Sequence, residues 1–342
     1  MAVSDLPKLV RNAGRLNEVI AVSLKYGIAP WLTNVHVDWV QKLLRSSDGQ
    51  QIGDLPEPVR VRMALTELGT TFIKLGQILS TRADLIGPEL AAELAQLQSS
   101  TPADAPEQVV QTIIEQLGDH PDNLFQSFET EALASASIGQ VHRAVLHDGK
   151  SVVVKVQHAG IESRVHNDIE ILIELAKLAE AYSPEIAQYN PVAMSKEFRN
   201  TLLDELDFTR EQRNLTKFAA NFADDAEIVF PKPHHKTCSE RILTMDALVG
   251  IGVSDRTALL ASGFDLVDIA RRGADMFLKM VFRDGFYHDD PHPGNLMVLQ
   301  EGVLGGLDCG MVGRVDADLR EECVTLRGAA GAGFDDVALS SI

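Results

Sequence analysis

Cysteine, basic charge and extended apolar stretches are all scarce in this chain of 342 residues. The three cysteines, Cys238, Cys309 and Cys323, are odd in number and unclustered, which argues against a disulfide framework or a zinc site and suits a reducing compartment. Lysine and arginine together number 31 against 49 acidic residues, a net charge of -18. With nothing to offset phosphate repulsion, nucleic acid is excluded as a partner. No stretch reaches the roughly 20 apolar residues of a membrane-crossing helix, and the opening residues show no signal-peptide core. The expected location is therefore cytoplasmic. No internal repeat or low-complexity tract interrupts the chain. The remaining balance, 45% hydrophobic and 23% charged, is that of a globular protein long enough for two lobes.

The richest stretch is His288-Asp289-Asp290-Pro291-His292-Pro293-Gly294-Asn295, followed by Leu307-Asp308-Cys309-Gly310. Phosphoryl transfer asks a protein for position and countercharge: a carboxylate near the attacking oxygen, and hard oxygen ligands that hold Mg²⁺ against the phosphates. An H-x-D-x-x-x-x-N loop and a D-x-G meet that need, with Asp290 as base or water positioner and Asn295 and Asp308 as metal ligands. Pro291, Pro293 and Gly294 forbid a regular helix here. A metal-hydrolase reading with His288 and His292 as ligands suffers from the same prolines, which spoil the i, i+4 helical geometry.

Upstream, Val152-Val153-Val154-Lys155-Val156 is a β-branched run carrying one cation. A lysine inside a strand is either an edge residue facing water or a paired group, and a nucleotide site uses one to grip phosphates. A single helical segment is expected from Pro191 to Asn221, with Asp204, Asp207 and Glu211 on one face at i, i+3 and i+7 and Glu205 beside them. Such a stripe repels itself unless cations answer it. Arg210 and Arg213 on the same segment could supply part of the answer. Ala134-Ser135-Ala136-Ser137-Ile138-Gly139-Gln140 precedes the lysine strand, and its small residues would let backbone N–H groups approach phosphate. Leu65, Leu68, Phe72, Leu75 and Leu79 follow helical spacing as a core stripe. Lys74, Gln77 and Thr81 share another face, and Gly76 allows a close helix contact. Lys74 is a candidate cation for Glu205 or Asp207.

The ordered set Lys74-x-Gly76-Gln77-x-x-Ser80-x-Arg82, the Ala-rich loop, Lys155, Glu205-x-Asp207 with Glu211, the His288 to Asn295 loop and Asp308-Cys309-Gly310 resembles the UbiB family of atypical kinases, also called ABC1 or AarF. The resemblance runs from about Leu65 to about Arg314. It implies an α+β, protein-kinase-like two-lobed fold with an N-terminal helical extension lying across the active site where a peptide would dock. It further implies ATP or ADP with Mg²⁺ as cofactors, nucleotide contacts from Ala134, Ser135, Ala136, Ser137, Gly139, Gln140, Lys155 and Met245, and Glu211 orienting Lys155. Lys74, Gly76, Gln77, Ser80, Arg82, Glu205 and Asp207 would form the gating element. Contact with isoprenoid lipids and support of ubiquinone-type biosynthesis are implied as well, and protein phosphorylation in trans is not expected. Cys309 departs from the D-F-G phenylalanine, removing an aromatic packing element.

The expected organisation is a helical extension over 1–105, a kinase-like N-lobe with a helical insertion around Ile169 to Tyr182 over 106–243, and a partial C-lobe over 244–342. Leu243-Thr244-Met245-Asp246 is expected as the hinge behind the adenine, and Leu266 to Phe282 as the main C-lobe helix. The short stretch after Asp308 suggests a truncated member of the family. Leu6, Val10, Leu16, Ile20 and Leu24, interleaved with Lys8, Arg11, Arg15 and Lys25, suit either a helix packed on its own protein or a peripheral contact with an anionic membrane surface. Two alternatives stay open: a small-metabolite phosphotransferase, which would lack the K-x-G-Q helix, and a nucleotide- or lipid-binding pseudokinase scaffold. The residues do not fix an oligomeric state.

Overall fold

Glycine 69 decides the shape of the helical part. The computed structural model describes residues 13–28, 55–97, 101–182, 184–289, 292–316 and 320. They belong to two compact units, each assembled from separate stretches of chain: Met1–Thr112, Thr130–Val141 and Val156–Leu206 in one, Ile113–Glu129, His142–Lys155 and Asp207–Ile342 in the other.

The first unit is mainly helical. Its longer helices are Ala13–Lys25, Glu57–Leu68, Thr70–Ser80, Ile161–Tyr182 and Pro191–Glu205. The continuous stripe from Leu65 to Leu79 is divided, because Gly69 at φ 89° ends one helix and starts the next, a backbone conformation that side chains disfavour. Leu68 and Phe72 join Val19, Val22, Tyr26 and Ala64 in one core cluster. Leu79 packs instead with Ile73, Leu94 and Leu97 in another, and Leu65 touches both. The buried Asp168 carboxylate accepts two bonds from the Arg15 guanidinium, at 2.6 and 3.1 Å, and Arg15 also donates to the Leu68 carbonyl at the kink. Leu16 and Ile20 are buried, so the apolar face of the Ala13–Lys25 helix is packed on the protein. Leu6, Lys8, Val10 and Arg11 lie outside the described residues. Among the described residues no helix is long and apolar enough to cross a membrane. The helical insertion begins earlier than expected, at Ile161, and runs to Tyr182.

Strands β1 (Ser127–Phe128), β2 (Ala134–Ser135), β3 (Gly139–Val145) and β4 (Ser151–Gln157) follow along the chain, with β3 and β4 each passing from one unit's stretch into the other's. In the first unit β2 pairs antiparallel with the start of β3, Ala134 opposite Val141. In the second unit β1 pairs antiparallel with the end of β3, Ser127 opposite Val145, and β4 is followed in the sheet by β6 (Ile242–Asp246).

A second sheet of that unit has the order β5-β10-β9-β7, with β5 at Ile228–Val229, β7 at Ile251–Gly252, β9 at Leu296–Val298 and β10 at Leu304–Gly306. A two-stranded ribbon joins β8 (Phe286–His288) to β11 (Val312–Arg314). Leu259, Ile269, Val298 and Leu304 form the core beneath. The expected helix from Leu266 to Phe282 is α-helical only to Leu278, and its last turns, Lys279–Asp284, are π-helical. Phe218 stacks on Phe230 with ring centroids 4.9 Å apart and meets Phe286 at 4.7 Å, which fixes the Phe208–Asn221 helix in this unit's core.

Candidate active site

The two-residue period of β4 places Lys155. Val152, Val154 and Val156 are buried, so Lys155 lies on the opposite, partly open face. Its side chain is 21% exposed and paired. Its Nζ is 2.8 Å from Glu211 Oε2 and 4.9 Å from the centroid of the Phe208 ring. Glu211 is 4% exposed. Burial pushes its carboxyl above the usual carboxylate range, Lys155 opposes that shift, and the nearby negative charge of Asp308 reinforces it.

The acidic segment is two helices and not one. The first ends at Glu205 and the second begins at Phe208. Asp207 caps the second: its Oδ1 accepts from the Thr209 N–H at 3.0 Å and from the Thr209 hydroxyl at 2.6 Å. The stripe of Asp204, Asp207 and Glu211 is therefore broken. An aspartate at an N-cap satisfies an orphan donor, whereas the same residue within a continuous acidic face would repel its neighbours.

The D-x-G turn follows β10. The Leu307 N–H donates to the Asn295 carbonyl at 2.9 Å, and Leu296 faces Gly306 across the β9–β10 pair. Asn295 and Asp308 thus flank the same end of this hairpin. His288 Nε2–H donates to the Asp308 carbonyl at 2.7 Å, which fixes its tautomer. Glu211 accepts from the Cys309 N–H, and Asn214 Nδ2–H donates to the Cys309 carbonyl at 2.9 Å. The Gly310 N–H donates to Asp308 Oδ1 at 2.8 Å. Cys309 is fully buried; burial, then the charges of Glu211 and Asp308, push its thiol well above the ordinary 9.0, so it is a small apolar filler. Asp290 and Pro291 lie outside the described residues.

A carboxylate and an amide oxygen are the donors that Mg²⁺ accepts, with the rest of its octahedron drawn from phosphates and water, so Asp308 and Asn295 fit that metal. The histidine-ligand alternative does not fit. His288 is engaged by a carbonyl, His292 Nδ1 accepts from the Gly294 N–H at 3.0 Å, and among the described residues no three His, Cys, Asp or Glu side chains converge on a metal position.

In the first unit, the K-x-G-Q helix Thr70–Ser80 brings Lys74 Nζ to 2.6 Å from Glu205 Oε1. A Cβ on Gly76 would run into Leu97 and Leu65. Gln77 donates to the Leu97 carbonyl at 3.1 Å and accepts at its own carbonyl from the Ser80 hydroxyl at 2.6 Å. Arg82 pairs locally with Asp84 at 2.8 Å. Gln157 donates to the Leu206 carbonyl, just past Glu205.

The Ala-rich loop is held by its carbonyls. Ala136 O accepts from His158 Nε2–H at 2.9 Å, Ser137 O from the Thr70 hydroxyl at 2.8 Å, and Ile138 O from the His158 N–H at 3.0 Å. The Ala136 N–H closes the turn onto Gly139 O at 2.9 Å. Gly139 is required because a Cβ would stand 2.6 Å from the Val156 carbonyl oxygen. Gln140 is fully buried, and its side-chain oxygen accepts from the Asp104 N–H at 2.6 Å. Asp104 in turn lies 3.1 Å from His158 Nδ1 and accepts from the Ala159 N–H at 2.9 Å.

Met245 is 8% exposed near the end of β6. The segment expected as a hinge is thus strand through Asp246. Thr70, Asp104, His158, Phe208 and Asn214 escaped the sequence reading. Only Asn214 carried a usable signal, standing three residues after Glu211 on one helix face.

Residues 96–330 match the ABC1 atypical kinase-like domain. Similar curated proteins include the probable protein kinase UbiB of Aeromonas salmonicida (strain A449), 37% identical over 312 residues that cover 89% of this chain and 57% of the relative. The protein of that name from Azotobacter vinelandii (strain DJ / ATCC BAA-1303) is 41% identical over 262 residues, covering 75% and 49% respectively. The chain spans about half the length of these curated relatives. Among solved structures, that of the Rv3197–erythromycin complex from Mycobacterium tuberculosis matches with a TM-score of 0.54 and 26% identity, over 81% of this chain and 67% of that one. The ordered motifs, the α+β fold and these matches agree, and the chain belongs to the ABC1 (UbiB) family of atypical kinase-like proteins.

Proposed function

We propose that this chain carries the nucleotide-handling part of a UbiB-type atypical kinase or ATPase that uses Mg²⁺-ATP in support of isoprenoid quinone biosynthesis or lipid handling. The observation that carries the reading is the Lys155–Glu211 pair, 2.8 Å apart, joined through Glu211 to the backbone of the D-x-G turn. In this reading Lys155 holds the α- and β-phosphates and Glu211 keeps its ammonium in place. Asp308 and Asn295 hold Mg²⁺, which when bound neutralises phosphate charge. Asp290 orients the acceptor oxygen. The loop of residues 134–140 enters by its residue types: its carbonyls are occupied within the protein, and it is assigned the presentation of N–H groups to phosphate.

Phosphorylation of proteins in trans is no part of the proposal. In the family the K-x-G-Q helix takes the space of a peptide substrate, and here Lys74 anchors that helix to Glu205. A thermal-shift titration with ATP, ADP and Mg²⁺, with Asp308→Asn as control, tests the reading. A Mg²⁺-dependent rise in melting temperature that the control loses is the expected result. A cooperative melt that nucleotide and metal leave unmoved would overturn it in favour of a scaffold that binds no nucleotide.

A further inference from the structure

The Phe208–Asn221 helix grips the peptide after Asp308 from both sides. Glu211 takes the Cys309 N–H, and Asn214, one turn further along, gives its amide N–H to the Cys309 carbonyl at 2.9 Å. His288 holds the preceding carbonyl, that of Asp308, at 2.7 Å. Cys309 is fully buried, so Glu211 and Asn214 satisfy backbone groups that water does not reach. Its small side chain contributes little packing area to fix the turn, which leaves the hydrogen bonds to set where residues 308–310 sit. The helix face around Asn214 is otherwise built for packing, with Leu215 and Phe218 fully buried.

We propose that Asn214 is a positioning residue for the metal-facing carboxylate: by holding the Cys309 carbonyl it fixes the Asp308 turn at the hairpin end shared with Asn295, and so sets the affinity for Mg²⁺ and not that for nucleotide. The inference rests on the Mg²⁺-nucleotide reading above. Glu211 serves Lys155 and the D-x-G turn together, so its loss would disturb both. Asn214 donates to the turn at the Cys309 carbonyl, whereas the Lys155 ammonium is held by Glu211, so removal of Asn214 separates the two roles.

The test uses the whole chain with Asn214→Asp, which keeps the shape but sets an acceptor against the Cys309 carbonyl, and Asn214→Ser, which retains a small donor. ADP affinity is measured by calorimetry in EDTA and again across a Mg²⁺ titration, with Mn²⁺ binding followed by electron paramagnetic resonance. Loss of one buried hydrogen bond corresponds to roughly a tenfold effect. The expected result for Asn214→Asp is a metal concentration at half-saturation about tenfold higher, with metal-free ADP affinity within about twofold of the parent and the serine variant in between. Equal losses of metal and nucleotide affinity, or no loss of either, would overturn the assignment while leaving the reading of the site intact. If the parent chain bound no nucleotide in a metal-dependent way, that reading would fall and this inference with it. Should the aspartate variant not fold, the serine variant carries the same comparison.

Discussion

The Lys155 ammonium lies 2.8 Å from the Glu211 carboxylate and 4.9 Å from the Phe208 ring centroid, so the cation is clasped by one helix through both a charge and a π face. Replacing it with methionine keeps the stem but leaves Glu211 buried beside the negative charge of Asp308. Losing one member of a buried ion pair is costly, and because Lys155 keeps some solvent contact the expected destabilisation is about 2 kcal/mol. Mg²⁺-nucleotide affinity should fall at least tenfold in the same variant. Urea denaturation and calorimetry measure the two effects, and unchanged affinity would remove Lys155 from the phosphate site.

Lys74 has a different task. Its bond to Glu205 ties the K-x-G-Q helix to the end of the Pro191–Glu205 helix, with both side chains partly in solvent. Lys74→Ala should cost only about 1 kcal/mol and retain a cooperative melt while changing turnover or the preference among nucleotides. A variant that merely melts earlier, with turnover and preference intact, would make the helix a structural element and end the gating role.

The Arg15–Asp168 pair is the clearest single anchor of the helical unit. Asp168 is 1% exposed, and Arg15 spans from it to the Leu68 carbonyl at the Gly69 kink. Asp168→Ala would leave the Arg15 guanidinium with Glu18, at 2.7 Å, and the Leu68 carbonyl but without its buried partner, and the expected loss is about 3 kcal/mol. The midpoint of urea denaturation measures it; a shift within experimental error would show that the N-terminal helix is held by its apolar face alone.

Acid sensitivity should trace in part to Asp246. Burial alone would raise its carboxyl, but bonds from Lys150 and His234, at 2.8 and 2.7 Å, outweigh burial and hold it below its ordinary 3.8. A depressed folded-state value means that the unfolded chain binds the proton more readily, so the contribution is present above the unfolded value and is lost as pH falls through the folded one. Comparing urea midpoints at pH 7 and near pH 3, Asp246→Asn should lose less stability on acidification than the parent. An equal loss in both would mean that other carboxylates govern the acid limb.

Residue type and short spacing are enough to give the family. A lysine in a valine run, an asparagine five residues after an aspartate, and a D-x-G in that order point to a kinase-like fold and to its family, because each requirement is local and can be written in a few adjacent residues. The K-x-G-Q spacing narrowed the family for the same reason. The break between Pro191 and Asn221 is not legible in the residues, since an aspartate that caps a new helix and one that continues an old one look alike until its carboxylate is seen on Thr209. The core stripe from Leu65 to Leu79 likewise has the spacing of one helix, because a glycine within a periodic pattern need not break it, and only the φ of 89° at Gly69 shows that it does.

What chain order could not reveal was which groups answer which across long separations. The choice of Glu205 for Lys74, the hold of Thr70 on the Ser137 carbonyl, the clasp of Asp104 and His158 on the Ala-rich loop, and the grip of Asn214 on Cys309 all join residues 20 to 131 positions apart in sequence. Periodicity reports which face a side chain occupies, but a hydrogen bond depends on the position of a second element to within a few tenths of an ångström. That position is set by how helices and strands pack, which is a property of the folded chain and not of any one segment.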